Sequence, residues 1–332
     1  MVEDPNTQKS TTKEPTTPKP INQGSTKIWL IFNLIILFLL LILIGNLATK
    51  QIIHFLSPIG VLLIILIVIG VLTYIFKKSK ELTPNAWASL SSIMIILIMT
   101  ISGLFAPRGI NYILILFSML LFFIVLGILA CGRLPGILID DRNQMSLSRF
   151  QIVVWTLIIL SAYFTIALSR IAVNAPAPLE IEVDWQIWAL LGISTVSLVG
   201  SPLILSEKKN KEPTKQEIEI FDGVVGETKM TNVGIIPENN DVKTAAFSDI
   251  FKGDETATIS NINMAKVQMF FFTIIIAISY AVMLFALIAN NDPSEITGFP
   301  LLDQGVIAIL AISHAGYLTN KTTDQTAVEK ST

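Results

Sequence analysis

"SLSRFQIVVWTLIILSAYFTIALSRIA", residues 146–172, carries no charged side chain between Arg149 and Arg170. At about 1.5 Å per helical residue, such a run crosses a hydrocarbon layer of about 30 Å. A surface helix of a soluble protein would show one strongly polar face, and this run shows none. It also lacks the period-two alternation of a membrane β-strand, so helix is the reading that lets every backbone group pair within the segment.

Seven further runs share this character, at 28–48, 55–76, 85–106, 110–131, 185–205, 266–290 and 301–319. The expected fold class is therefore all-α, a polytopic transmembrane helix bundle of eight spans. The whole composition agrees: 52% of residues are apolar, 14% are charged and the mean hydropathy is +0.67, whereas ordinary globular chains carry about 25% charged residues. The net charge of -2 gives no bulk basic surface for nucleic acid.

The spans divide the 332 residues into six parts. Residues 1–27, rich in Thr, Pro and Lys, read as a disordered tail, because they hold too little apolar surface to offset ordering entropy. Residues 28–131 form a four-span bundle, 132–205 a helical hairpin, 206–263 a soluble insert, 264–320 a second hairpin and 321–332 a tail. Within the insert, "EKKNKEPTKQE" reads as a charged linker and "IEIFDGVVGETKMTNVGIIPENN" as carrying a small β-hairpin. "TAAFSDIFKGDE" places Phe247, Ile250 and Phe251 at helical spacing, which fits a short amphipathic helix against the membrane or the bundle.

Basic residues set the orientation. With the N-terminus cytoplasmic, the lysines of both tails, Lys77, Lys78, Lys80, Arg133, Arg142, Arg149 and every lysine from 208 to 266 fall inside, while Lys50, Arg108 and Arg170 fall outside. The loops "NAPAPLEIEVD" and "NNDPSEITGFPLLD" carry acids and no base, as outer loops should. The sequence thus predicts a bacterial cytoplasmic (inner) membrane protein with both termini cytoplasmic.

Sliding the quoted stretch forward by 117 positions aligns Leu147 with Met264, Arg149 with Lys266, Gln151 with Gln268, Trp155 with Phe272, Thr156 with Thr273 and Tyr163 with Tyr280. "GIS" ending at Ser194 and "AIS" ending at Ser313 then match at an offset of 119. The two hairpins read as a parallel duplication, related by an axis along the membrane normal if they pack symmetrically. Each copy starts with a candidate cap, Ser146 or Asn263, followed by a cation that can snorkel to lipid phosphates, Arg149 or Lys266. Gln151 and Gln268 sit just inside the lipid boundary and admit two readings. They face each other across the axis as a gate, or each clamps its own helix to a neighbour.

Conventional chemistry is sparse. The sequence holds no phosphate-binding loop, dinucleotide fingerprint, HExxH or nucleophile elbow. Two histidines and one cysteine, Cys131, predict no metal centre, no cofactor and no disulfide framework. Asp140 and Asp141 beside Arg142 are either a divalent-ion or acid–base pair, or a salt-bridged loop. His314 is the one titratable group well inside a span, a relay or a neutral imidazole bonded to an adjacent helix. Arg170 reads as a snorkelling anchor at the outer boundary. Apart from Asp303 at the outer end of the last run, no span contains Asp or Glu, which argues against an ion-coupled transporter.

"GILIDDRNQMSLSRFQIVVWT", "FSDIFKGDE", "NMAKVQMFFFT" and "LAISHAGYLTNKT" together resemble stretches of uncharacterised bacterial polytopic membrane proteins that carry an LSRxQ…WT helix, a SKVQMFxFT-like helix and a final ISxAGYLxxK helix. The resemblance covers residues 132–322. It implies the topology and the repeat, and assigns no catalytic residue. The functional expectation is a non-enzymatic anchor or scaffold in the lipid bilayer that docks a cytoplasmic protein partner through 206–263. The alternative is a homo-oligomeric channel or pore-forming effector, with a small-molecule or lipid transporter behind both.

Overall fold

The computed structural model describes residues 84–225 and 230–329; the tail 1–27 and the runs at 28–48 and 55–76 lie outside the described residues. In chain order the long helices begin with α1 (Pro84–Phe105), α2 (Ile110–Cys131), α3 (Leu147–Ala172) and α4 (Trp185–Lys208). A shorter α5 (Lys215–Val225) and an antiparallel hairpin of β1 (Met230–Val233) and β2 (Ile236–Asn239) follow. Then come α6 (Met264–Asn290) and α7 (Gln304–Thr322).

Five of these helices, α1, α2, α3, α4 and α6, are long and apolar enough to cross a membrane. The expected spans 85–106, 110–131, 149–172, 185–205 and 266–290 coincide with them to within a few residues. The run expected at 301–319 is helical as part of α7, but that helix does not reach the same apolarity, since it carries Gln304, His314, Asn320 and Lys321.

α3 is the central helix. It packs against α1 and α2 on one side and against α4 and α6 on the other, and its core side chains Trp155, Ile158, Ile159, Ala162 and Ile166 are buried. α7 in turn packs on α4 and α6, which closes a ring in the order α3, α4, α7, α6. The helices that the shift of 117 would pair, α3 with α6 and α4 with α7, are thus neighbours. A two-fold axis along the membrane normal would set each helix diagonally opposite its equivalent, so the hairpins lie side by side instead. The connecting loops at the far end run parallel and bond across, with Glu182 N donating to Thr297 O at 2.8 Å and Phe299 N to Glu182 O at 3.0 Å. Outside the core, Ile93, Leu97, Ile113, Val196, Ile275 and Val282 project from α1, α2, α4 and α6 without protein cover, as lipid-facing side chains do.

The insert folds onto the other end of the ring. The segment expected as linker and strand is partly helix: Ile218 and Ile220 mimic strand alternation, but Phe221, three residues beyond Ile218, is the side chain that buries. The hairpin falls at 230–239. Its turn needs Gly234, whose φ is +63° and whose Cα approaches the carbonyls of Lys208 and Lys209 too closely for a Cβ. The amphipathic stretch forms a 3₁₀ turn over Phe247–Phe251. Ile250 is fully buried, and Phe251 meets Phe270 of α6 edge-on at 5.0 Å between ring centroids.

Candidate functional site

At the insert end, each of the four ring helices or its adjoining loop delivers a cation to one dipeptide, Asp254–Glu255. Arg142, in the loop before α3, approaches Asp254 at 3.1 Å; Lys266, in the first turn of α6, at 3.0 Å; and Lys321, in the last turn of α7, at 3.2 Å. Lys208, at the end of α4, meets Glu255 at 2.5 Å. All six side chains are buried. The second oxygen of Glu255 accepts from the backbone N–H groups of Gln325 and Thr326, which fastens the chain beyond α7.

The remaining hydrogen-bonding capacity is largely filled. Lys321 also reaches Tyr317 Oη at 2.7 Å and Ser201 Oγ, and Lys266 donates to Lys252 O at 2.6 Å. Arg142 turns its Nε and one terminal nitrogen to Asp140, whose other oxygen accepts from the backbone of Arg142 and Gln144. Burial alone would raise the Asp254 carboxyl, yet Lys266, Lys321 and Arg142 hold it far below the usual carboxylate range. Burial would likewise lower the Arg142 guanidinium, and Asp140 and Asp254 instead raise it.

This arrangement decides between the readings of Asp140 and Asp141. Asp140 is committed to Arg142, and Asp141 pairs with Lys209 at 3.3 Å, so the two carboxylates do not share a ligand and form a salt-bridged loop. Among the described residues no group of three His, Cys, Asp or Glu side chains is placed to hold a metal ion.

Deeper in the ring lies a second polar chain. Gln151 Nε2 is 2.7 Å from Thr273 Oγ1 and 3.3 Å from His314 Nε2, while His314 Nδ1 is 2.6 Å from Ser197 Oγ. Thr273 donates its own hydrogen to Met269 O, so it accepts from Gln151. A neutral imidazole protonated on Nδ1 then satisfies every contact: Gln151 donates to Nε2, and Nδ1–H donates to Ser197. Four helices are joined by three side-chain bonds, and one polar atom, Gln151 Oε1, is left buried without a partner.

The two similar helix starts, at 146–156 and 263–273, behave differently. Gln151 is fully buried, but Gln268 is exposed, so the glutamines do not face each other. Lys266 does not snorkel to lipid; it is buried on Asp254. Arg149 is partly exposed and makes no ion pair among the described residues. Asn263 caps α6 by accepting from Ala265 N and Lys266 N, whereas the Ser146 side chain does not cap α3. Trp155 is a core side chain, Ser194 is buried with an unpartnered hydroxyl, and Ser313 is half-buried. Arg170 is buried rather than a boundary anchor, and donates to four loop carbonyls.

Replacing Gln151 with leucine removes the shared donor of this chain and leaves His314 Nε2 buried without one. The expected loss is about 1–3 kcal/mol of stability, against less than about 0.5 kcal/mol for Gln268→Leu. Chemical denaturation in mild detergent reads both, and equal effects would contradict the inward and outward placement of the two amides.

Comparison with protein-family models, curated proteins and solved structures gave no match to this chain. The resemblance to polytopic membrane proteins therefore rests on the quoted motifs alone.

Proposed function

We propose that this chain is a bacterial inner-membrane protein of eight spans, with both termini and the insert cytoplasmic, and that it serves as a non-enzymatic anchor for a cytoplasmic protein partner. The observation that carries the reading is the clamping of the insert. Two adjacent acids of the insert take buried cations from all four ring helices or their adjoining loops, so that the described residues of the insert, 209–225 and 230–263, stand on the bundle as a fixed platform. A tethered flexible loop would need no such attachment. The platform shows apolar side chains to water, Ile218 and Ile220 on α5 and Val233 on β1, beside an open groove between α5 and the hairpin.

The duplication belongs to the same reading. Tyr163 and Tyr280, equivalent under the shift of 117, each donate to a carbonyl of their own far-end loop, Leu179 O at 3.0 Å and Pro300 O at 3.1 Å. Equivalent loops pair in parallel, and equivalent helices are neighbours. In this account α7 is the eighth span, with His314, Tyr317 and Lys321 bonded inside the ring.

Full-length protein carrying Ile218→Asp and Ile220→Asp tests the anchor. Quantitative co-purification in mild detergent should show a stoichiometric cytoplasmic partner with the unaltered chain and about tenfold less with the variant. An identical set of co-purifying proteins from both would remove the insert as the docking surface.

A further inference from the structure

A groove of about 450 Å³ opens between α2, α3 and α4 at the insert end. Its walls are apolar, formed by Phe123, Val153 and Leu198 among others, and its head is the first turn of α3 with Ser146, Ser148 and Arg149. Three observations at that head point to one kind of ligand. The N–H groups of the first helical turn have no intrahelical partner, and Ser146 does not cap them, so the positive end of a 26-residue helix faces the groove uncovered. Ser148 is 1% exposed and lies in the groove wall with its hydroxyl unpartnered. Arg149 lines the same head and makes no ion pair among the described residues.

Two carboxylates also line the rim, and both are spoken for: Asp140 by Arg142 and Asp141 by Lys209. Among the described residues, Arg149 is left as the cation of the head without a carboxylate. α3, at about 1.5 Å per residue, is about 39 Å long, more than a hydrocarbon layer of about 30 Å, so a spanning α3 carries its end turns, with Arg149 in the first, toward the headgroups. An anion at this head belongs to a molecule whose remainder is apolar.

We propose that this groove binds a glycerophospholipid, with the phosphate diester on Arg149 and the N-terminus of α3 and an acyl chain along Phe123, Val153 and Leu198. Arg149 supplies a planar fork that matches two phosphate oxygens, and the free N–H groups of the first turn complete the site. The second copy of the repeat offers no such head, because Asn263 covers the first turn of α6 and Asp254 takes Lys266. The site lies apart from the docking surface on α5 and β1, and its test does not depend on that reading.

Native mass spectrometry of the full-length, delipidated protein reads the adducts directly. Phosphatidylglycerol should bind the unaltered chain in a one-to-one adduct that Arg149→Gln weakens about tenfold, the size expected for one charge-assisted contact. Leu198→Trp, which narrows the apolar wall and leaves the cation in place, should weaken it comparably, and Lys243→Gln, an exposed cation on the insert, should leave it unchanged. Glycerol 3-phosphate, which has the anion without chains, and diacylglycerol, which has the chains without the anion, should each compete at least about tenfold more weakly. Unchanged affinity in Arg149→Gln would overturn the proposal. So would competition by glycerol 3-phosphate equal to the lipid, which marks a free-phosphate site, or by diacylglycerol, which marks an apolar groove alone.

Discussion

Asp254→Asn should be the most damaging single substitution in the insert, costing on the order of 3–5 kcal/mol, the range for removing one partner of a buried ion pair. The substitution keeps shape and removes charge, so Arg142, Lys266 and Lys321 remain buried around a neutral amide. Two consequences separate this from a general packing defect. Lys321→Met in the Asp254→Asn background removes one orphaned cation and should recover part of the loss. Protease should reach residues 209–263 in the variant at temperatures where the unaltered protein resists.

The pH dependence has a fixed sign. The folded carboxyl of Asp254 is held below its unfolded value of about 3.9. Its stabilisation is therefore complete above that value and is lost as pH falls through it toward the folded one. The gap between the melting curves of the two proteins should be constant from pH 8 to pH 5 and shrink only below about pH 4. A gap that closes between pH 7 and 5 would mean that another group carries the effect.

The spans were legible because hydropathy acts locally: each run reads as helix from its own residues, and five of them meet the length and apolarity of membrane-crossing helices. The ionic cluster was not. Asp254 and Arg142 are 112 residues apart in the chain, and Asp254 reads as the polar end of an amphipathic turn. Lys208, Lys266 and Lys321 were visible as cations at helix ends and Arg142 as one in a cytoplasmic loop, a pattern that charge asymmetry explains without any partner. An adjacent Asp–Glu pair in an insert between two such helices was the available signal.

The expected repeat misled in a definable way. The inward stripe of α6 runs through Lys266, Met269, Thr273, Ala277 and Tyr280. Moved back by 117, its start falls on Arg149, Ile152 and Thr156, whereas α3 buries Ser148, Gln151 and Trp155. The two inward faces differ by one residue, about 100° of helix rotation. Sequence identity at Gln151 and Gln268 therefore coexists with opposite environments, and the cations Arg149 and Lys266 part in the same way.

Arg170 gives the sharpest test of a reading that the structure reverses. As a lipid-boundary anchor, it would be replaceable by lysine, which snorkels equally well. In the fold its two terminal nitrogens span both far-end loops, donating to Ile296 O at 2.6 Å, Pro176 O at 3.1 Å, and Ala177 O and Glu180 O at 3.3 Å. One ammonium lacks the planar fork that reaches carbonyls on two loops at once. Arg170→Met keeps the apolar stem and orphans these carbonyls, with an expected loss of about 2–4 kcal/mol. Arg170→Lys should recover no more than about half of it. Amide hydrogen exchange localises the effect: Glu182 and Phe299, whose N–H groups tie the loops together, should lose protection in both variants while the α3 core around Trp155 keeps it. A lysine variant with unaltered stability and exchange would return Arg170 to the membrane boundary and remove it from the loops.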